Sequence, residues 1–572
     1  MILNALYNYY LSHLDELPSP GKELKEIGFV IVLSKDGDFM YFEDRRSDDK
    51  KNATPFLVRK SVGRTAAPRP NFLYDNASYV LGYSDKGNAM KCYKTFKEYI
   101  DKTAAKAPDN RDLQRLKIFY EQDVDQKLAK MKADPLWPEI IKNLNKKFSF
   151  FTFRFKGEDD VVAEKPELIE LDISESQDAK DTQKANSRKK CMISGKEDEI
   201  VEITTATMIP GSQAVAKLVA FQVNSGYDSY GKKKGGNAPI GKTVEFGYTT
   251  ALNKMLGKDS RNRFFLGDRT FVFWSSNRNE ACSELEKALN NLVANDENDP
   301  EQIKKVLMTI YTGKTPTSSD DRFFILGLSP NSARIAVNYW AEIPLKEFAG
   351  NLLKHFEDFQ IADVRKEKKP YTGLRSILAA VTLGGKASDA TPNLPEAIVK
   401  SIFQNLPYPE PLFSAAIRRI RAEQTVGITR AAIIKGYLNR LRNNNYKIKT
   451  MLETTSSHPG YVCGRLFAVL EKIQSDANNT STIRERYFNS ASTNPVTVFP
   501  TLVNLSVHHL AKLEMKDQIF YLKLIQEIIN LLTSDGFPIQ LQNVEQGHFI
   551  IGYFHQRCAL YTSRKTTTTT NN

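Results

Sequence analysis

The sequence predicts an α+β protein: a mixed α/β N-terminal domain with β-hairpins, followed by an α-helical C-terminal bundle. Two patterns carry this. Up to about residue 345, short apolar runs are separated by turn pairs such as Asp36-Gly37 and Gly267-Asp268, the mark of hairpins. Beyond 345 those runs fade, and apolar residues recur at helical spacing in one segment after another.

In chain order, Leu3, Leu6, Tyr7, Tyr10, Leu11 and Leu14 recur at helical spacing, predicting an amphipathic helix that docks on the first domain and not a targeting segment. "IGFVIVL" and "DFMYFE" flank "SKDG", a hairpin turning at Asp36-Gly37. "DRRSDDKKNATP" reads as a loop, residues 90–145 as charged helices, and "FSFFTFRF" (148–155) as a strong strand. "EKPELIELDISE" is expected to begin as a strand, and residues 215–223 and 243–256 as helix or strand around a glycine-rich loop. Two further hairpins follow, 263–276 turning at Gly267-Asp268 and 322–340 turning at Ser329-Pro330-Asn331. Helical segments such as "LFSAAIRRIRAE" and "QIFYLKLIQEIINLL" fill the rest. The tail "SRKTTTTTNN" has nothing to bury, and disorder is expected there.

At 572 residues the chain has length for several domains, and we divide it into 1–345, a basic helical region 346–450, and a helical unit 451–572. A hydrophobic content of 41% and aromatic content of 10% exclude wholesale disorder. The net charge of +13 implies a polyanionic partner, nucleic acid first. Five scattered cysteines offer no CxxC zinc site and suit a reduced cytoplasm. No apolar run approaches the length that spans a bilayer, so a soluble cytoplasmic protein is expected.

"GGNAPIGKT" (235–243) spells a phosphate-binding P-loop, which makes an ATPase using Lys242 and Thr243 one rival reading. The loop's context disagrees: upstream stands "NSGYDSYGKKKG", polar and broken by glycine, where a buried strand is required. The same stretch suits DNA. Tyr227 and Tyr230 offer stacking faces, Lys232, Lys233 and Lys234 offer phosphate partners, and Asn224 and Asn237 offer base-edge hydrogen bonds. A second basic concentration, Arg418, Arg419, Arg421, Arg430, Lys435, Arg440 and Arg442 with Lys447 and Lys449, has only Glu423 among it. It is read as a face for nucleic acid; a scaffold meeting acidic proteins is the other rival. His508, His509, His548 and His555 lack acidic residues at ligand spacing and read as surface or core histidines. No catalytic set, metal site or cofactor is expected.

Several blocks together, "EIGFVIVLSKDGDF", "PFLVRKSVGRTAAPRPNFLYDNASYVLG", "FQVNSGYDSYGKKKGGNAPIG", "FGYTTALNKML" and "GHFIIGYFHQRCAL", resemble the large subunit of the type I-C CRISPR surveillance complex, Cascade. The resemblance runs from the first residue to about 562. It implies a non-enzymatic subunit that recognises the protospacer-adjacent motif (PAM) in duplex DNA, helps unwind it for R-loop formation with crRNA, and presents the displaced strand to a recruited helicase-nuclease. Implied partners are crRNA, target double-stranded DNA, the Cascade backbone subunits and the 5′-handle subunit. The resemblance assigns PAM reading to Asn71 and Asn237, supported by Asn76, Asn224 and Tyr227, with Lys232, Lys233 and Lys234 on phosphates. It places PAM recognition and contacts near the 5′ handle in 1–345. Residues 451–572 then resemble the small helical subunit, and Met451 is expected to serve as an internal translation start for it.

Overall fold

A computed structural model describes residues 1–64, 67–84, 89–174, 188–207, 209–221, 230–257, 260–294, 300–364, 372–442, 446–479, 482–533 and 536–568. Helix α1 (Ile2–Ser12) buries Leu6 and Tyr10 but exposes Leu11, and Leu14 lies exposed beyond its end. Strands β1 (Lys22–Glu26), β2 (Phe29–Leu33), β3 (Phe39–Asp44) and β4 (Pro55–Arg59) follow. Every residue of β2 is buried, as in a central strand covered on both faces. It pairs antiparallel with β3 and parallel with β5 (Phe151–Phe155), while β1 pairs with β4.

The β2–β3 turn forms at the expected place. Ser34 Oγ accepts the backbone N–H groups of Asp36 and Asp38, each at 3.1 Å, and Gly37 takes φ 85°. Parallel pairing of β2 with β5 requires a long crossover. Helices α2 (Ala77–Val80), α3 (Ala89–Lys106), α4 (Arg111–Glu121), α5 (Val124–Lys132) and α6 (Trp137–Asn143) supply it. On α3 the buried residues Tyr93, Phe96, Ile100 and Ala104 follow the helical period.

"EKPELIELDISE" departs from expectation: residues 166–174 form helix α7. Pro166 opens it, where a missing N–H costs nothing, and the buried Leu168, Ile169 and Asp172 share one helical face. Asp172 there receives Arg59 Nε at 2.6 Å. Strands β6 (Arg188–Lys190) and β7 (Glu197–Glu199) make a short hairpin, and helix α8 spans Lys242–Leu256. Of residues 215–223, the described part (215–221) is neither helix nor strand; it is held by an isolated bridge between Lys217 and Arg334.

A second, four-stranded antiparallel sheet has the order β11-β10-β9-β8, from β8 (Arg263–Leu266), β9 (Arg269–Ser275), β10 (Arg322–Asn331) and β11 (Arg334–Pro344). Helices α9 (Glu280–Ala294) and α10 (Pro300–Thr312) join β9 to β10. The β8–β9 hairpin turns at Gly267-Asp268 as expected. The β10–β11 hairpin instead turns at Ser332-Ala333, with Ser332 at φ 54° and Asn331 paired with Arg334. Pro330 stays inside the strand because β9 stops pairing at Leu328, so no neighbour on that side needs its missing N–H.

After Pro344 the chain is helical: α11 (Leu345–Phe359), α12 (Leu374–Val381), α13 (Leu394–Phe403), α14 (Glu410–Glu423), α15 (Ile428–Asn439), α16 (Pro459–Asn478), α17 (Thr482–Ala491), α18 (Pro495–Leu510), α19 (Met515–Ile529) and α20 (Asn543–Thr568). The backbone of the expected disordered tail is helical through Thr568; residues 569–572 lie outside the described residues. Helices α16 and α20 approach at backbone distance. A Cβ on Gly464 would overlap the Phe549 carbonyl oxygen, and one on Gly552 the Tyr461 carbonyl oxygen.

The chain divides into two compact units. One comprises Met1–Asn8, Thr204–Ala220 and Leu252–Asn572; the other comprises Tyr9–Ile203 and Phe221–Ala251. The first has one hydrophobic core running from Phe264 of β8 to Leu560 of α20, with Phe323 stacked on Phe348 at 4.4 Å. The second is centred on β2 and β5 and includes Phe119, Tyr120 and Phe153.

Candidate nucleic-acid interface

The P-loop spelling folds into something other than a phosphate cradle. Lys242 opens α8, and its Nζ pairs with Glu199 Oε1 of β7 at 2.5 Å. The Thr243 N–H donates to Asp198 Oδ2 at 2.9 Å, and a Cβ at Gly241 would lie 2.6 Å from Asp198 Cβ. A helix N-terminus attracts anions, and here the chain's own carboxylate from the β6–β7 hairpin is the anion. Gly241 itself bridges to Ile200.

Residues 230–241 are fixed to that hairpin along their backbone. Val201 N–H donates to the Ile240 carbonyl at 2.9 Å and Met192 N–H to the Pro239 carbonyl at 2.8 Å. A Cβ on Gly235 would overlap the Val201 carbonyl, so only glycine fits there. Lys234 pairs with Glu202 at 2.8 Å, and Asn237 Nδ2 donates to the carbonyls of Lys232 and Lys234 at 3.2 and 3.3 Å. This bracing leaves Tyr230 fully exposed, with Lys232, Lys233 and Asn237 exposed beside it. Asn224 and Tyr227 lie outside the described residues.

The asparagines of the other loop point inward. Asn71 is buried, and its Oδ1 accepts the Val62 N–H at 3.0 Å; Asn76 caps α2 by accepting the Ser78 N–H at 3.0 Å. Both side-chain carbonyls are used to shape the loop in this conformation.

The basic helices also differ from a single charged face. Lys435 is buried, and its Nζ donates to the Glu357 and Asp358 carbonyls at 3.2 and 3.0 Å; burial pushes it down to about 8. Arg440 is sunk against Asp358 at 2.6 Å, with Nη1 on the Ser401 carbonyl at 2.6 Å and the Leu406 carbonyl at 2.8 Å. Arg419 and Arg430 share Glu423, and Arg421 Nη2 donates to Gln546 Oε1 at 2.5 Å. Arg418 and Arg442 are exposed. The charge run thus contains core cations, paired cations and surface cations, the exposed Lys447 and Lys449 included.

His548 and His555 are core residues, and His508 is exposed. Burial lowers His548 to about 3 and His555 to about 4. His548 stacks on His458 at 3.9 Å, and His555 Nδ1 meets the Tyr461 hydroxyl at 3.0 Å. Burial pushes the Cys191 thiol up, but backbone N–H groups of Ser194, Gly241 and Ile193 outweigh it and hold it below the usual thiol range. Among the described residues, no group of three or more His, Cys, Asp and Glu is arranged to hold a metal ion, and no helix is long and apolar enough to cross a membrane.

Sequence reasoning missed Asp198 and Glu199 as the acids beneath the glycine loop. Their signal is present in "KKCMISGKEDEI": a basic strand, a tight turn and an acidic strand, which predict a hairpin with one acidic side.

A family model described as CRISPR-associated protein (Cas_Csd1) matches residues 3–561. The chain belongs to the Csd1 family. A comparison with curated proteins finds no match. Csd1 proteins are large subunits of the type I-C Cascade, so this Csd1 chain is a CRISPR-associated Cascade subunit.

Proposed function

We propose that this Csd1 chain is the non-enzymatic subunit that recognises the PAM in duplex DNA and helps unwind it for R-loop formation with crRNA. It works beside the backbone and 5′-handle subunits in the cytoplasm and presents the displaced strand to a helicase-nuclease. The observation that carries this reading is the braced loop 230–241, which exposes an aromatic ring, two lysines and an asparagine from a backbone that only Gly235 permits. Stacking, phosphate pairing and base-edge bonding are the chemistry DNA requires. The Asp198 carboxylate at the start of α8 speaks against ATP as the ligand. Asn71 contributes to base reading through its Oδ1 only where the Val62 N–H releases it.

Assembled complexes carrying Asn237→Ala or Asn71→Ala are compared on PAM and scrambled-PAM duplexes. Loss of a base contact costs about 1–3 kcal/mol of discrimination. Unchanged discrimination in both variants rejects the assignment. We further propose that 451–572 is an autonomous helical unit made separately from a start at Met451, which is exposed. A C-terminally tagged preparation analysed by mass spectrometry then contains a species beginning there, and its absence beside abundant full-length chain rejects this.

A further inference from the structure

The loop between β4 and α2 clamps an arginine that none of the candidate residues includes. Asp75 is fully buried, and its backbone is anchored to β5: its N–H donates to the Phe151 carbonyl at 3.1 Å and its carbonyl accepts the Phe151 N–H at 2.8 Å. Its carboxylate accepts the N–H groups of Asn71 and Asn76, each at 2.8 Å, and pairs with Arg64. Arg64 lies over the Tyr79 ring at 4.3 Å, and its Nε donates to the Arg69 carbonyl at 3.0 Å. The Tyr79 hydroxyl accepts the Arg69 N–H at 3.2 Å. The Arg69 backbone is therefore held at both its donor and its acceptor, and Pro68 and Pro70 fix φ on either side. Arg64 and Arg69 are both exposed, but the Arg64 guanidinium is engaged by Asp75 and the Arg69 carbonyl.

A guanidinium on a backbone that cannot relax loses less entropy on pairing than one on a mobile loop. We propose that Arg69 is a DNA-contacting residue that grips a backbone phosphate of the duplex, positioned by the Asp75–Arg64–Tyr79 clamp. The loop's own acid, Asp75, is buried and already paired, so no carboxylate of the clamp competes with phosphate for Arg69. This inference rests on the reading of the chain as a duplex-binding subunit and adds to it a sequence-independent contact.

The test uses assembled complexes with Arg69→Ala, Arg69→Lys and Tyr79→Phe, each first shown to keep the parent's far-UV circular dichroism and melting. Arg69→Ala is expected to weaken binding about tenfold on PAM and scrambled duplexes alike, and to make the log–log salt slope shallower by about one. Arg69→Lys keeps the slope, because a phosphate accepts a point charge. Tyr79→Phe weakens binding less than Arg69→Ala and leaves the slope at the parent's value. Parent-like affinity and slope in Arg69→Ala, beside a parent that binds duplex normally, overturn this inference alone. A loss confined to the PAM duplex makes Arg69 a base reader and also overturns it. A parent complex without salt-dependent duplex binding removes the functional reading and this inference together.

Discussion

Two basic stretches that look alike in sequence, Lys232–Lys234 and Arg418–Arg442, meet opposite fates. In the first, backbone contacts to Val201 and Met192 fix the loop, and Lys232 and Lys233 remain in solvent. In the second, Asp358, Glu423 and a set of carbonyls draw cations inward until Arg418 and Arg442 are the exposed ones among the seven candidates. A run of positive charge in sequence therefore does not define a surface. What decides is whether acceptors from distant segments converge on it, and Asp358 lies some eighty residues before Arg440.

The sharpest way to break the comparison is Arg440→Ala. It removes the close partner of the buried Asp358 and leaves that carboxylate the more exposed Lys354 at 3.4 Å, and breaking such a buried pair costs up to about 3–5 kcal/mol. Denaturant unfolding of the full chain measures it, and a cost under about 1 kcal/mol would show that Arg440 behaves as a surface residue after all.

Acid titration gives a middle-sized effect. His548 and His555 stay neutral in the fold, with values of about 3 and 4 against 6.5 unfolded. The unfolded chain then binds more protons, so stability is full above about pH 6.5 and falls as pH drops toward 4. Lys435, which lowers His555 further, and His458, which does the same to His548, both face these rings. Replacing His555 with Gln is expected to flatten that acid limb by about 1–3 kcal/mol between pH 6.5 and 4, read from melts in a pH series. An unchanged limb would show that His555 protonates freely in the fold.

Arg418→Ala is the smallest. An exposed cation costs at most about 0.5 kcal/mol of stability, while the salt slope of nucleic-acid binding by the assembled complex becomes shallower if this surface meets phosphate. Destabilisation well beyond that would place Arg418 with Arg440.

The same distinction explains what was legible in the sequence. Local chemistry was: Asp36-Gly37 and Gly267-Asp268 turn where expected, and the change to helix at Leu345 falls where strand patterns fade. Features set by distant partners were not. Residues 166–174 look like a strand until Pro166 and the Arg59–Asp172 pair favour a helix. Pro330 looks like a turn until the end of β9 makes it tolerable inside a strand. "GKT" looks like a nucleotide site until Asp198 arrives beneath it. At the candidate interface, the exposed Lys232, Lys233 and Asn237 could be chosen from residue type, whereas the inward turn of Asn71 depends on Val62 and Asp75.

The bare-backbone contact between α16 and α20 also sets a schedule for synthesis. Gly464 and the residues it fits against, Phe549 and Tyr553, are separated by more than eighty positions. At about 5–20 residues per second, a ribosome takes several seconds to pass from one to the other. Throughout that interval α16 carries an open notch flanked by Leu466, Phe467 and Leu470, all destined for burial. The notch closes only on a helix that brings a glycine of its own, Gly552, to the crossing. A helix carrying a side chain in place of Gly552 would meet the Tyr461 carbonyl at this crossing, so the absence of side chains that makes the final joint tight also selects for the partner that arrives last.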